Sequence, residues 1–197
     1  MNRNHAQSLF VLALLASPAL AQEGTPMSAE EKAMMDAYIK AGTPGPEHAA
    51  LAKTAGTYAL KIRSWGKPDA PPAESTGTAV RRMTLGDRVM VEEMSATMMG
   101  QPFTGYGMLG YDNTTDEYWT TWNDSMSTGL MVSEGKCDDA GACVFTGSWH
   151  DPVTGKEIHS RITTSWTAAD TELFQMYAPG PDGREMKMME ITYTRQH

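Results

Sequence analysis

The sequence predicts a mainly β fold, a closed or nearly closed antiparallel barrel of about ten short strands preceded by short helices. Three observations carry this. Past Gly56 the apolar residues alternate with period two, as in Tyr58-Ala59-Leu60-Lys61-Ile62 and Ile158-His159-Ser160-Arg161-Ile162. Turn-forming pairs recur between these segments: Gly86-Asp87, Asp112-Asn113, Asp124-Ser125, Ala140-Gly141, Asp151-Pro152, Ala169-Asp170 and Asp182-Gly183. No segment of helical period intervenes after residue 56, which excludes a βαβ architecture.

The elements follow in order. Residues 1–21 read as a secretory signal, with Arg3 in a short polar start, an apolar run from Leu9 to Ala16, and Ala19-Leu20-Ala21 as the cleavage pattern. The run is short for a bilayer span, and no later stretch is apolar enough to cross a membrane. Export to the periplasm or the exterior is therefore expected. Residues 22–56 form a helical segment. Ser28-Ala-Glu-Glu31 is a capping box, and Met34, Met35, Tyr38 and Ile39 make an apolar stripe at helical spacing. Pro46 opens a second short helix that stops near Gly56, and both helices are expected to pack on an end or flank of the body. Residues 57–197 form the barrel. Its strands are expected near 58–62, 75–83, 88–97, 103–109, 117–122, 128–134, 143–149, 158–166, 171–177 and 186–194. A sandwich would show the same alternation. Short connections favour neighbour-to-neighbour pairing, and closure removes exposed edges. The long connection from Gly66 to Glu74, with Pro68, Pro71 and Pro72, reads as a loop over a barrel mouth.

Four separated stretches then carry a family resemblance: QPFTGYG at 101–107, LGYDNTTDEYWTTWNDSMSTG at 109–129, DPVTGKE at 151–157 and KMMEITYTR at 187–195. With these motifs the chain from about Ala49 to Arg195 resembles the DUF1579 family of uncharacterised bacterial proteins. The resemblance implies a calycin-like barrel, the architecture of lipocalins and fatty-acid-binding proteins, and no particular reaction. Tyr58 departs from the tryptophan that such barrels often place after Gly-x.

Lys and Arg number 16 against 24 Asp and Glu, for a formal charge of −8, so a basic nucleic-acid footprint and a polybasic membrane anchor are both absent. Cys137 and Cys143 flank DDAGA, a hairpin connection, and export favours a disulfide between them; the spacing is not that of a CxxC redox motif. The sixteen methionines read as core filler, since adjacent pairs such as Met98-Met99 and Met188-Met189 point to opposite faces of a strand and chelate no common ion. Histidines lack metal spacing and no nucleophile elbow occurs, so the reading is a non-catalytic protein without metal or cofactor. Gly105, Gly107 and Gly110 mark bends or close approaches rather than a phosphate loop. Trp119 and Trp122 have opposite parity, so at most one faces the interior.

The expected function is the binding of a small hydrophobic or amphipathic molecule, uncharged or weakly anionic, near Tyr106 and Trp122. Aromatic rings give apolar contact, and a tyrosine hydroxyl gives orientation. Glu93, Arg161 and Glu190 are charges within strands that complete the candidate set. Arg161 pairs with a ligand carboxylate only if it faces inward, and the apolar parity of Ile158 and Ile162 argues that it faces water. The alternatives are a structural or interaction module with a filled core and, third, an uncharacterised enzyme.

Overall fold

The computed structural model describes residues 27–197. The expected signal segment, residues 1–21, lies outside them. Helix α1 spans Ala29–Gly42 and helix α2 spans Pro46–Lys53. The strands are β1 (Gly56–Ser64), β2 (Ala73–Thr84), β3 (Val89–Met98), β4 (Gln101–Asp112), β5 (Glu117–Asp124), β6 (Met131–Cys137), β7 (Cys143–His150), β8 (Glu157–Ala168), β9 (Thr171–Pro179) and β10 (Glu185–Gln196). Every strand pairs antiparallel with its sequence neighbour, and β1 also pairs with β10 from Thr57↔Gln196 to Ser64↔Met189, which closes the barrel. No sheet edge is left open among the described residues, so closure resolves the barrel-or-sandwich alternative.

Alternation works as expected along β1, where Tyr58, Leu60 and Ile62 are buried and the residues between them exposed. The sixth strand begins at Met131 rather than near 128. The preceding residues are held in a loop, with Asn123 Nδ2 donating to the Gly129 carbonyl at 2.8 Å and Gly129 N–H donating to Ser127 Oγ at 2.9 Å.

Following the strand directions, α2 and the turns at 85–88, 113–116, 138–142 and 169–170 gather at one end of the barrel. The 65–72 connection lies at the other end with the turns near 99–100, 125–130, 151–156 and 180–184.

The capping box of α1 is formed: Glu31 N–H donates to Ser28 Oγ at 3.1 Å, and Ser28 N–H donates to Glu31 Oε2 at 2.7 Å. Packing of the two helices differs from expectation. Helix α2 buries His48 and Leu51, and Leu51 joins a cluster with Tyr118, Phe145 and Ile162. Helix α1 buries nothing, and its stripe of Met34, Met35, Tyr38 and Ile39 is exposed. The helix-bearing end is already covered by α2. The C-terminus of α1 is tied down by polar contacts instead: Asn113 Nδ2 donates to the Ala41 and Thr43 carbonyls, and Arg88 Nε donates to the Gly42 carbonyl.

Candidate functional site

The barrel encloses a cavity of about 320 Å³, within the range of small-molecule sites. Its outline starts with β4 and β5. Register places Gly107 opposite Trp122 and Gly110 opposite Trp119. A Cβ on Gly105 would collide with the six-membered ring of Trp122, and one on Gly110 would collide with the Trp119 indole. The glycines are the room these rings occupy. Trp122 lies against the inner wall, where it lines the cavity, and its indole N–H donates to Asp124 Oδ2 at 3.0 Å. Trp119 takes the opposite parity, as the alternation requires.

Apolar side chains make most of the lining, among them Met90, Met94, Met176 and Met189 with Phe103 and Phe174. Methionine is flexible enough to adapt to an irregular guest. The contacts at one end of the cavity come from Ala50, Leu51 and Thr54 of α2 and its cap, and from Asp138, Asp139 and Gly141 in the β6–β7 turn. None of the loops at the opposite end contributes lining residues among those described. The 66–74 connection lies at an end of the barrel, as expected, but does not border the cavity. Topology sends β1 away from α2, so its connection to β2 falls at the far end.

One polar cluster interrupts the apolar wall. Arg81 points inward from β2 and is buried by the surrounding barrel. Its Nε donates to Glu92 Oε2 at 2.5 Å, and its Nη1 donates to Glu172 Oε2 at 2.5 Å. The Tyr193 hydroxyl donates to Glu92 Oε1 at 3.1 Å. The guanidinium also lies 4.4 Å from the Tyr193 ring centroid and 5.0 Å from that of Tyr58, a favourable cation–π arrangement. Burial works against the Arg81 charge, but the carboxylates of Glu92 and Glu172 outweigh it and hold the guanidinium pKa well above its ordinary value. Burial, reinforced by the Glu92 charge, pushes the Tyr193 phenol well above the ordinary tyrosine range. Tyr58 donates its hydroxyl to the Thr54 carbonyl at 2.7 Å, and the Arg195 guanidinium lies 5.0 Å from its ring centroid. A tyrosine here thus joins the cluster to the end of α2, through a hydroxyl that the commonly expected tryptophan lacks.

Cys137 and Cys143 are directly opposed across β6 and β7 and form a disulfide, with Cα atoms 3.9 Å apart. Both border the cavity beside the Asp138-Asp139 turn.

Residues 43–195, which run from just before α2 to the end of β10, match the family model described as "Protein of unknown function (DUF1579)". The chain belongs to the DUF1579 family. The fold of this DUF1579 barrel is similar to that of the crystal structure of Rv2717c from M. tuberculosis, at 14% identity and a TM-score of 0.58, over 79% of this chain and 100% of that one. It also aligns with a de novo designed fluorescence-activating β-barrel, at 17% identity and a TM-score of 0.42, over 75% of this chain and 97% of that one. A redesigned β-barrel aligns at 13% identity and a TM-score of 0.40, over 76% and 96% respectively. No curated protein sequence matches the chain.

Of the five residues the sequence suggested for ligand contact, Trp122 lines the cavity of this DUF1579 barrel and the other four do not. Tyr106 is 44% exposed; its neighbours Gly105 and Gly107 take the inward positions under Trp122. Glu93 is exposed and accepts from Arg82 Nη2 at 2.9 Å. Arg161 is on the outer wall, as its parity with Ile162 suggests, where it donates to both Glu185 oxygens at 3.0 and 2.6 Å and lies over Tyr177. The part of the expectation that needed an inward Arg161 for a ligand carboxylate therefore fails. Glu190 sits between the inward Met189 and Ile191, facing outward; it accepts from Lys187, Gln175 and Arg63.

The residues missed are Arg81, Glu92, Glu172 and Tyr193. The signal was present as two neighbouring charge pairs. Arg81 and Glu92 are register partners inside the wall, while Arg82 and Glu93, one residue further on each strand, form their counterpart outside. A one-residue step moves a side chain to the other face.

Proposed function

We propose that this barrel binds a small hydrophobic or amphipathic molecule in its central cavity and holds it without chemical transformation. The single observation that supports this reading is the cavity itself, an apolar chamber of about 320 Å³ with one built polar cluster in its wall. A filled-core module would have no such space. The binding energy would come from apolar contact with the methionine and aromatic lining, and orientation from the polar cluster. The proposal includes export to the periplasm or the exterior. This rests on residues 1–21 and is supported by the Cys137–Cys143 disulfide, a bond favoured by an oxidising compartment.

Tryptophan emission offers a direct test, because Trp122 and Trp166 both border the cavity. Titration with decanol and with small aromatic compounds is expected to give a saturable change. The change shrinks in Trp122→Phe, while Tyr106→Phe, altered on the outer face, behaves as wild type. Absence of binding by calorimetry across both compound classes would overturn the reading in favour of an unliganded structural module.

A further inference from the structure

The polar cluster contains one guanidinium and two carboxyl groups, and the geometry shows how fully each is engaged. Arg81 directs Nε to Glu92 and Nη1 to Glu172, and its guanidinium carbon lies 5.0 Å and 4.4 Å from the ring centroids of Tyr58 and Tyr193. Its Nη2 donates no hydrogen bond among the described residues, but a ligand carboxylate brought there would be the third carboxylate on one guanidinium that Glu92 and Glu172 already neutralise. Glu92 is engaged twice, by Arg81 and by the Tyr193 hydroxyl. Glu172 is engaged once. Its Oε1 accepts no hydrogen bond among the described residues, yet the residue is only 7% exposed and lines the cavity. An acceptor on a buried residue that stays accessible from the chamber and receives no protein donor is a place for a donor from a guest.

The rest of the lining has the same sign. Besides Glu92 and Glu172, the cavity is bordered by Asp138 and Asp139, and Arg81 is the lone basic residue among the described lining. Both aspartates lie at the end bordered by α2, so carboxyl groups line that end of the cavity as well as the wall at Glu172.

We propose that the cavity selects amphipathic molecules with a cationic or hydrogen-bond-donating head, of the alkylamine class, and discriminates against fatty-acid-type carboxylates, with Glu172 Oε1 as the acceptor for the head group. This rests on the reading that the cavity binds an amphipathic molecule. It departs from the uncharged or weakly anionic ligand expected from sequence, because the arginine inside the wall is neutralised by Glu92 and Glu172 and the candidate Arg161 faces out. An anionic head would meet a cluster that is formally negative, in an environment where little water screens the repulsion. An ammonium head would supply both a donor for Glu172 and a compensating charge.

Three ligands that share a chain and differ in head group separate these possibilities: decylamine, decanol and decanoate, each below its micelle concentration. Calorimetry with the full chain is expected to rank decylamine above decanol and both above decanoate, with amine and carboxylate at least about tenfold apart in Kd. In Glu172→Gln the amine-to-carboxylate ratio is expected to fall to within about threefold, while Arg81 keeps Glu92 as its partner. In Glu93→Gln, which removes a charge of the same sign from the outer face, the ratio should stay at its wild-type value. If Glu172→Gln fails to fold, the wild-type ratio in about 0.5 M salt takes its place, because a preference set inside the cavity survives screening that abolishes surface attraction. Decanoate binding as tightly as decylamine, or a preference unchanged in folded Glu172→Gln, would overturn the inference while leaving the cavity as a binding site. Failure of all three ligands to bind would remove the cavity reading itself, and the inference with it.

Discussion

Arg81→Met is the sharpest test of what holds the barrel interior together. The substitution keeps most of the side-chain volume and removes the guanidinium that joins β2 to Glu92 on β3 and to Glu172 on β9. Arg81, Glu92 and Glu172 expose only 8%, 13% and 10% of their side chains. Removing one partner of a buried ion pair costs about 3–5 kcal/mol, mainly because it strands the opposite charge. Here two carboxylates are stranded near each other, and the cation–π contacts with Tyr58 and Tyr193 are lost as well, so the upper part of that range applies. With a urea slope of about 2 kcal/mol per molar, the unfolding midpoint should drop by about 2 M. The triple variant Arg81→Met/Glu92→Gln/Glu172→Gln should recover most of this, since a neutral set of similar volume carries no stranded charge. Equilibrium urea unfolding followed by tryptophan emission and circular dichroism measures all three proteins. A single variant within about 1 kcal/mol of wild type, or a triple variant no more stable than the single, would refute the assignment of Arg81 as the counter-charge of this core.

Other perturbations probe separate links. Gly105→Ala puts a methyl group where the Trp122 ring lies, and overpacking of this kind should cost about 1–3 kcal/mol and shift the Trp122 emission; unchanged stability and emission would mean that the ring has free space. The Cys137→Ser/Cys143→Ser variant opens a loop with a sequence separation of 6, for which chain entropy gives about 2 kcal/mol, so the barrel should remain folded with a lowered melting temperature; a completely unfolded variant would contradict this. Hydrogen bonding from Lys187, helped by Gln175 and Arg63, lowers the Glu190 pKa against the opposing effect of burial. A carboxyl group whose folded pKa is depressed stabilises above its unfolded pKa, and that contribution disappears as pH falls through the folded value. Glu190→Gln should therefore weaken the pH dependence of stability on the acid side, measured by urea midpoints across that range, and a curve parallel to wild type would oppose the assignment.

Local rules determine much of this chain. Period-two alternation and turn residues at regular intervals define ten strands, because each strand must bury one face and each reversal needs a backbone that Gly, Asn or Asp supports. The Ser28 capping box and the Cys137–Cys143 hairpin link are likewise local, satisfied by groups a few residues apart. Which face of a strand lies inside is less legible. Strand β3 carries buried apolar residues at both parities, Met90 and Met94 on one and Val89 and Val91 on the other, so alternation does not choose between Glu92 and Glu93. Along β4 the glycines at the inward positions have no side chain to advertise burial, and the apolar signal falls on Tyr106, which is outside. Only the closed barrel settles these orientations, because Trp122 of β5 needs the space above Gly105 and because Arg81, Glu92 and Glu172 come from strands distant in sequence. The cluster of Arg81, Glu92, Glu172 and Tyr193 spans residues 81 to 193 and exists as a unit only after β1 meets β10 and the wall is complete.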